Sequence, residues 1–290
     1  MRRPATPLHI VVLSTLAVGW AAGCSGAGPT TAQLTTPATD AGEAASPSAQ
    51  APASDSAAVS DLPWGDEPVQ LDPADFTTEI DNPYWPMEPG TRWTYRETDE
   101  EGKRLKVVVI VTNETKKIAN GVTARVVRDT VTEDGQLVED TKDWYAQDAQ
   151  GNIWYLGEDT AEFEDGELTT RAGSFEAGVD GALPGIILPA DPEPGMRYRQ
   201  EYYVGEAEDN GEVLSTRELV EAPYGQFRDA LLTKDTITIE PDVQEYKLYA
   251  KGVGPVLVLG VSGGGGREEL MKVDRVSGKA GTGPLGSPHP

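Results

Sequence analysis

Cysteine and histidine are almost missing from this chain. Cys24 stands alone, and the two histidines, His9 and His289, lie near the ends. The body between them has neither thiol nor imidazole. That excludes Ser-His-Asp and Cys-His nucleophilic schemes, the usual zinc ligand sets and any disulfide within the chain. No catalytic residue, no metal ligand and no cofactor is expected. Basic residues are scarce as well, with 24 Lys and Arg against 48 Asp and Glu and a net charge of −24. Such an excess repels phosphates, so nucleic acid is excluded as a partner. A long apolar run is also lacking, because the stretch 10–18 is broken by Ser14 and Thr15. It falls short of the ~20 residues that span a bilayer.

What the N-terminus does have is the layout of an export signal. Arg2 and Arg3 precede the short apolar stretch, and Ala21-Ala22-Gly23-Cys24 follows it. Small residues before a lone cysteine match a lipobox, with Ala21 standing where leucine is usual. The expectation is a lipoprotein signal peptide over 1–23, cleavage before Cys24, and acylation of its sulfur, with palmitate among the acyl chains. The partner is then the membrane, at its outer, extracytoplasmic face. Two acyl chains anchor durably where one binds only marginally. Residues 24–70, rich in Ala, Ser, Thr and Pro, read as a disordered tether with room for O-linked sugars. Its reach is roughly 30–40 Å by random-coil scaling. Residues 277–290 read as a second disordered piece.

Between these ends, 71–276 repeats itself at an offset of about 105 residues. Glu88-Pro89-Gly90-Thr91-Arg92-Trp93 returns as Glu193-Pro194-Gly195-Met196-Arg197-Tyr198. Asp129-Thr130 returns as Asp235-Thr236, and Tyr145-Ala146 as Tyr249-Ala250. The copies are placed at about 84–172 and 189–276. Pro-Gly pairs suit type II turns. Asn120-Gly121, Asp134-Gly135, Asp165-Gly166 and Asn210-Gly211 read as tight hairpins between β-branched runs. Residues 74–80, after Asp72-Pro73, read as a short helix, and the Gly- and Pro-rich run 178–189 as a loop capping the core or forming a pocket lip. The fold class expected is all-β, with antiparallel meander sheets from an internal duplication, packed as a sandwich or half-open barrel.

Asp81-Asn82-Pro83-Tyr84-Trp85-Pro86, Asp143-Trp144-Tyr145-Ala146-Gln147-Asp148 and Tyr198-Arg199-Gln200-Glu201-Tyr202-Tyr203 carry a resemblance. With Gly205-Glu206-Ala207-Glu208-Asp209 and Tyr249-Ala250-Lys251-Gly252-Val253-Gly254, the chain resembles a family of uncharacterised bacterial lipoproteins. The resemblance implies export and β structure, and no activity.

Adjacent strand residues face opposite ways. Tyr84-Trp85, Trp144-Tyr145, Trp154-Tyr155 and Tyr202-Tyr203 therefore each offer one ring to the core and one outward. The outward ring either pairs across the sheet or presents a face to a lipid or sugar. The ligand-binding candidates are Trp85, Trp144, Trp154 and Tyr202, with the acidic residues Glu206, Glu208 and Asp209. A second acidic run, Glu158 through Asp165, reads as a solvated loop. The function expected is a lipid-anchored binding or structural protein of the envelope, with a lipid, glycan or protein ligand. The alternative is a carboxylate-dependent hydrolase of an envelope polysaccharide, which needs two carboxyl groups facing each other in a cleft.

Overall fold

The computed structural model describes residues 62–287 apart from Gly265 and Gly278. Cys24, the leader and most of the tether lie outside the described residues. The chain is built from strands. In the first half they are β1 (Phe76–Thr77), β2 (Thr91–Thr98), β3 (Arg104–Lys117), β4 (Thr123–Glu133), β5 (Gln136–Asp148) and β6 (Ile153–Glu164). Three shorter ones follow, β7 (Glu167–Thr170), β8 (Phe175–Glu176) and β9 (Leu183–Leu188). The second half holds β10 (Arg197–Arg199), β11 (Glu201–Tyr202), β12 (Asp209–Ala222), β13 (Gly225–Ile237), β14 (Gln244–Ala250), β15 (Gly254–Ser262) and β16 (Arg267–Arg275).

Hydrogen bonding orders them β10-β12-β13-β14-β15-β16-β2-β3-β4-β5-β6-β9-β11. The two ends of that path, β10 and β11, are neighbours in the chain with only Gln200 between them. The antiparallel sheet thus nearly closes on itself as a barrel, which removes its open edges. Each half walks the same course: a Pro-Gly turn, then a meander, then a strand that hands over to the other half.

Local chemistry explains the turns. The Thr91 N–H donates to the Glu88 carbonyl at 3.0 Å, and Met196 to Glu193 at 3.1 Å. Gly90 and Gly195 take φ of 88° and 94°, as the third position of a type II turn requires. Asp134-Gly135 and Asp165-Gly166 have positive φ at both residues, the signature of the hairpin turn whose twist matches its strands.

Several expectations are corrected. The helix over 74–80 is only a 3-10 turn, Pro73–Asp75, capped by the Asp72 carboxylate on Ala74 N–H at 2.9 Å. Beyond it the β-branched Thr77 and Thr78 favour extended backbone, and β1 pairs with Gln147 and Asp148 of β5. The run 178–189 is not a loop throughout: it holds β9, a strand of the wall, while Val179, Asp180 and Ala182 before it border a concavity, as the lip reading expects. Asn210-Gly211 is no hairpin either. It lies inside β12, opposite Tyr198 and Arg199 of β10, and a Cβ on Gly211 would meet the Tyr198 ring at 2.4 Å. The missing side chain makes room for an inward tyrosine.

Gly185 does the same for backbone. A Cβ there would sit 2.1 Å from the Gln200 carbonyl oxygen, at the seam where the barrel closes. Gly185→Ala is expected to destabilise the fold by about 3 kcal/mol, an overpacking cost with little room to relax. Urea denaturation against the parent chain measures it.

Two buried arginines tie flanking segments to the wall. Arg199 donates to the carbonyls of Pro184, Gly65 and Glu67, so 63–67, assigned to the tether from sequence, lies against the barrel. Arg128 donates through Nε to Asp140 at 2.7 Å and through its other nitrogens to the carbonyls of Gly281, Thr282 and Pro284. The segment 279–287, expected to have no fixed structure, is thus held across β4 and β5.

Candidate functional site

Residues opposite one another in an antiparallel sheet share a face. One row runs Val213, Thr233, Lys247, Val258, Glu268, Glu97, Leu105 across seven strands. All seven are buried, and they face the barrel interior. Trp93, Val109, Asp129, Thr141 and Thr160 form another such row, and Val127, Asp143 and Glu158 a third. The interior therefore mixes apolar residues with many carboxyl groups.

One end is plugged by aromatics. The segment 80–87 is pinned at Ile80 and Met87 by a bridge and at Asn82 by the Gln147 side chain, 3.0 Å away. This sends Trp85 between the two halves, 5.7 Å from the Tyr145 ring on β5 and 6.0 Å from the Tyr249 ring on β14. Trp93 and Tyr95 close the same end by donating to the carbonyls of Val253 and Pro255.

The carboxyl groups line the interior beside this plug. Asp143 and Glu158, opposite each other, both accept from the Tyr155 hydroxyl, at 2.8 and 2.6 Å. Burial lifts the Asp143 pKa to about 7 against the pull of that hydrogen bond. Burial, then the Asp143 charge, raises Glu158 well above the usual carboxyl range. Burial and the neighbouring Glu162 push Glu139 up to about 8. Asp129 and Glu268 are raised too, again chiefly by burial. One oxygen of Asp129, one of Glu139 and both of Glu268 have no hydrogen-bond partner. An interior this acidic holds its carboxyl groups as neutral acids unless a cation joins them.

Lys247 is that cation for the second half. Its ammonium lies 2.9 Å from Asp235 and 3.8 Å from Glu245. Burial opposes its charge, yet Asp235 and Glu245 prevail and its pKa is raised.

The residues singled out from sequence are scattered. Trp85 belongs to the plug. Trp144 faces outward but is covered, with the Lys116 ammonium 4.1 Å from its ring centre, and it lines a concavity of about 320 Å³ with Glu158, Phe175 and Tyr203. Trp154 donates to Asp148 at 2.8 Å and lines a second concavity of about 490 Å³ with Leu62 and Val69. Tyr202 is half-buried in β11, Glu206 is exposed, and Glu208 accepts from Gly205 N–H. Asp209 is buried inside the barrel. The outward aromatic face expected from sequence is not open to solvent, because β8 and the segments flanking the barrel cover it.

Glu158, read from sequence as part of a solvated loop, is a buried strand residue. The interior acids were legible by alternation. Asp129 stands on the same face as Val127 and Val131, Glu97 on that of Trp93 and Tyr95, and Glu268 on that of Leu270. Each is an acid at a core position of a two-residue period.

No protein-family model matches the chain, and no curated protein matches it. Among solved structures, the crystal structure of a candidate lipoprotein from Parabacteroides distasonis is similar. The match has 11% identity and a TM-score of 0.34, and it covers 66% of this chain and 98% of that one. At that score the likeness bears on neither site nor function.

Proposed function

We propose that this is a lipid-anchored binding protein of the bacterial envelope. Cys24 carries the acyl chains, and the barrel, built from two copies of one unit, encloses the ligand site. The lipobox supports the anchor. The same strand course in both halves and the equivalent tyrosines Tyr145 and Tyr249 support the duplication. One observation carries the binding role: fully buried acids, Glu268 above all, point into the barrel with oxygens that no protein group satisfies. Leaving such groups unpaired costs about 1–3 kcal/mol each, a cost that selection for stability alone would remove.

The Asp143–Glu158 pair with its shared tyrosine gives the hydrolase reading its best residues. Both carboxyl groups are nearly inaccessible, however, at 4% and 2% exposure. A polysaccharide strand has no way to lie across them. A small ligand fits the geometry better than a polymer.

Mass spectrometry of protein extracted gently from its native membrane tests this. The expected result is a chain starting at Cys24 with added acyl mass, together with a small molecule released on denaturation. A chain starting at Met1, with nothing released, contradicts it.

A further inference from the structure

The seam that closes the barrel is shorter than the strand it closes on. β10 pairs with only Asn210, Gly211 and Glu212 of β12, and the turn before it bonds Val213 through the Gly195 N–H and the Met196 carbonyl. β12 continues to Ala222. Among the described residues, no strand or turn bonds its outer edge from Leu214 onward. The end of that edge is regular. The last irregularity in its pairing is taken up by β13, where Asp229 turns to a φ of 53°. Val220 and Ala222 are buried, while Arg217, Leu219 and Glu221 share the outward face and are exposed. Leu219, a large apolar residue, is 66% exposed. Neither Arg217 nor Glu221 forms an ion pair among the described residues.

We propose that this edge is where two copies of the chain meet, β12 pairing antiparallel with β12 of the second copy about a two-fold axis at Leu219. The inference goes beyond the ligand-binding role and does not depend on it. Antiparallel pairing centred on one residue sets the residue two before it against the residue two after it. Arg217 then faces the partner's Glu221, Glu221 faces the partner's Arg217, and the two leucines lie side by side between them. Opposite charges and apolar side chains directly across such a pair stabilise it, whereas like charges there destabilise it. With a net charge of −24 the copies repel each other elsewhere, so an edge that offers a cation to each acid selects this register. The open backbone groups along the edge supply the hydrogen bonds of the joint. A contact of this kind uses the same patch on both copies, so it closes at two and does not grow into a filament.

Analytical ultracentrifugation of the full-length protein in detergent tests the assignment. The parent chain is expected to dimerise. Arg217→Glu and Glu221→Arg each set like charges across the joint, and each is expected to weaken dimerisation at least tenfold. The double change Arg217→Glu with Glu221→Arg exchanges the charges and is expected to restore the parent's affinity. Leu219→Cys brings two thiols to the axis, and mild oxidation is expected to link the copies there, as mass spectrometry of the joined peptides reads. Leu168→Cys, also exposed but on β7, is expected not to link. A chain that stays monomeric and does not link at position 219 overturns the inference. So does a dimer that the single swaps leave unchanged, or a double swap that fails to rescue them. None of these outcomes touches the ligand-binding role, which the release of a small molecule decides.

Discussion

Thermal unfolding is expected to occur about 10 °C higher at pH 5 than at pH 8, the reverse of the usual loss of stability in acid. Glu139 and Asp143 start from ordinary values of 4.5 and 3.8 and rise in the barrel to about 8 and about 7. Between those limits the folded chain holds protons that the unfolded chain has lost. Stability therefore decreases as pH rises through that window, and it is greatest below it. Each tenfold gain in proton affinity is about 1.4 kcal/mol, and each kcal/mol moves the midpoint of a chain this size by roughly 2–4 °C. Groups shifted the other way, such as Asp274 beside Arg92, are only half-buried and partly screened by solvent, so they oppose the trend weakly and only at lower pH. Glu139→Gln removes one of the titrating groups. Its melting temperature is expected to exceed that of the parent at pH 8 and to depend less on pH. Calorimetric scans across pH 4–9 measure both effects, and a midpoint that climbs from pH 5 to pH 8 refutes the reading of the interior.

The second large effect is expected at Arg128. Its guanidinium and the Asp140 carboxylate are fully buried, and they pair on the outer face of the wall under the segment 279–287. Gly286 N–H also donates to Asp140, at 2.7 Å. Arg128→Ala leaves a buried carboxylate without its counter-charge and three backbone carbonyls without their donor. Loss of one partner from a buried pair costs about 3–5 kcal/mol. The cost is expected to appear twice: as a lower urea midpoint and as faster proteolysis near residues 279–287. The double change Arg128→Met with Asp140→Leu removes both charges, so it is expected to recover much of the stability while the segment stays open to protease. If the single variant matches the parent in both assays, the segment is not held by this pair.

The fold was readable where local chemistry decides it. Pro89-Gly90, Pro194-Gly195 and the Asp-Gly hairpins dictate their own turns, and alternation of Trp93 and Tyr95 with polar residues marks an inward face. What escaped depends on distant partners. Leu183–Leu188 reads as a loop because Pro184 and Gly185 interrupt it, yet Gly185 is there so that the seam at Gln200 can pass close by. Gly211 reads as a turn because nothing nearby announces Tyr198, 13 residues earlier in the chain and directly opposite in the sheet. Glu158 was misread for another reason. Carboxylates are seldom buried without partners, so an acidic run is read as surface. At Glu158 that default fails, and only its register against Asp143 shows it.

Burial holds carboxyl groups of the barrel interior, Glu139, Asp143 and Glu158 among them, as uncharged acids. Infrared spectroscopy of the folded protein at pH 7 reads this directly, because protonated and ionised carboxyl groups absorb separately. The expected spectrum contains protonated-acid bands that weaken in Glu139→Gln and disappear on unfolding. A folded protein showing only ionised carboxylates at pH 7 would contradict the account.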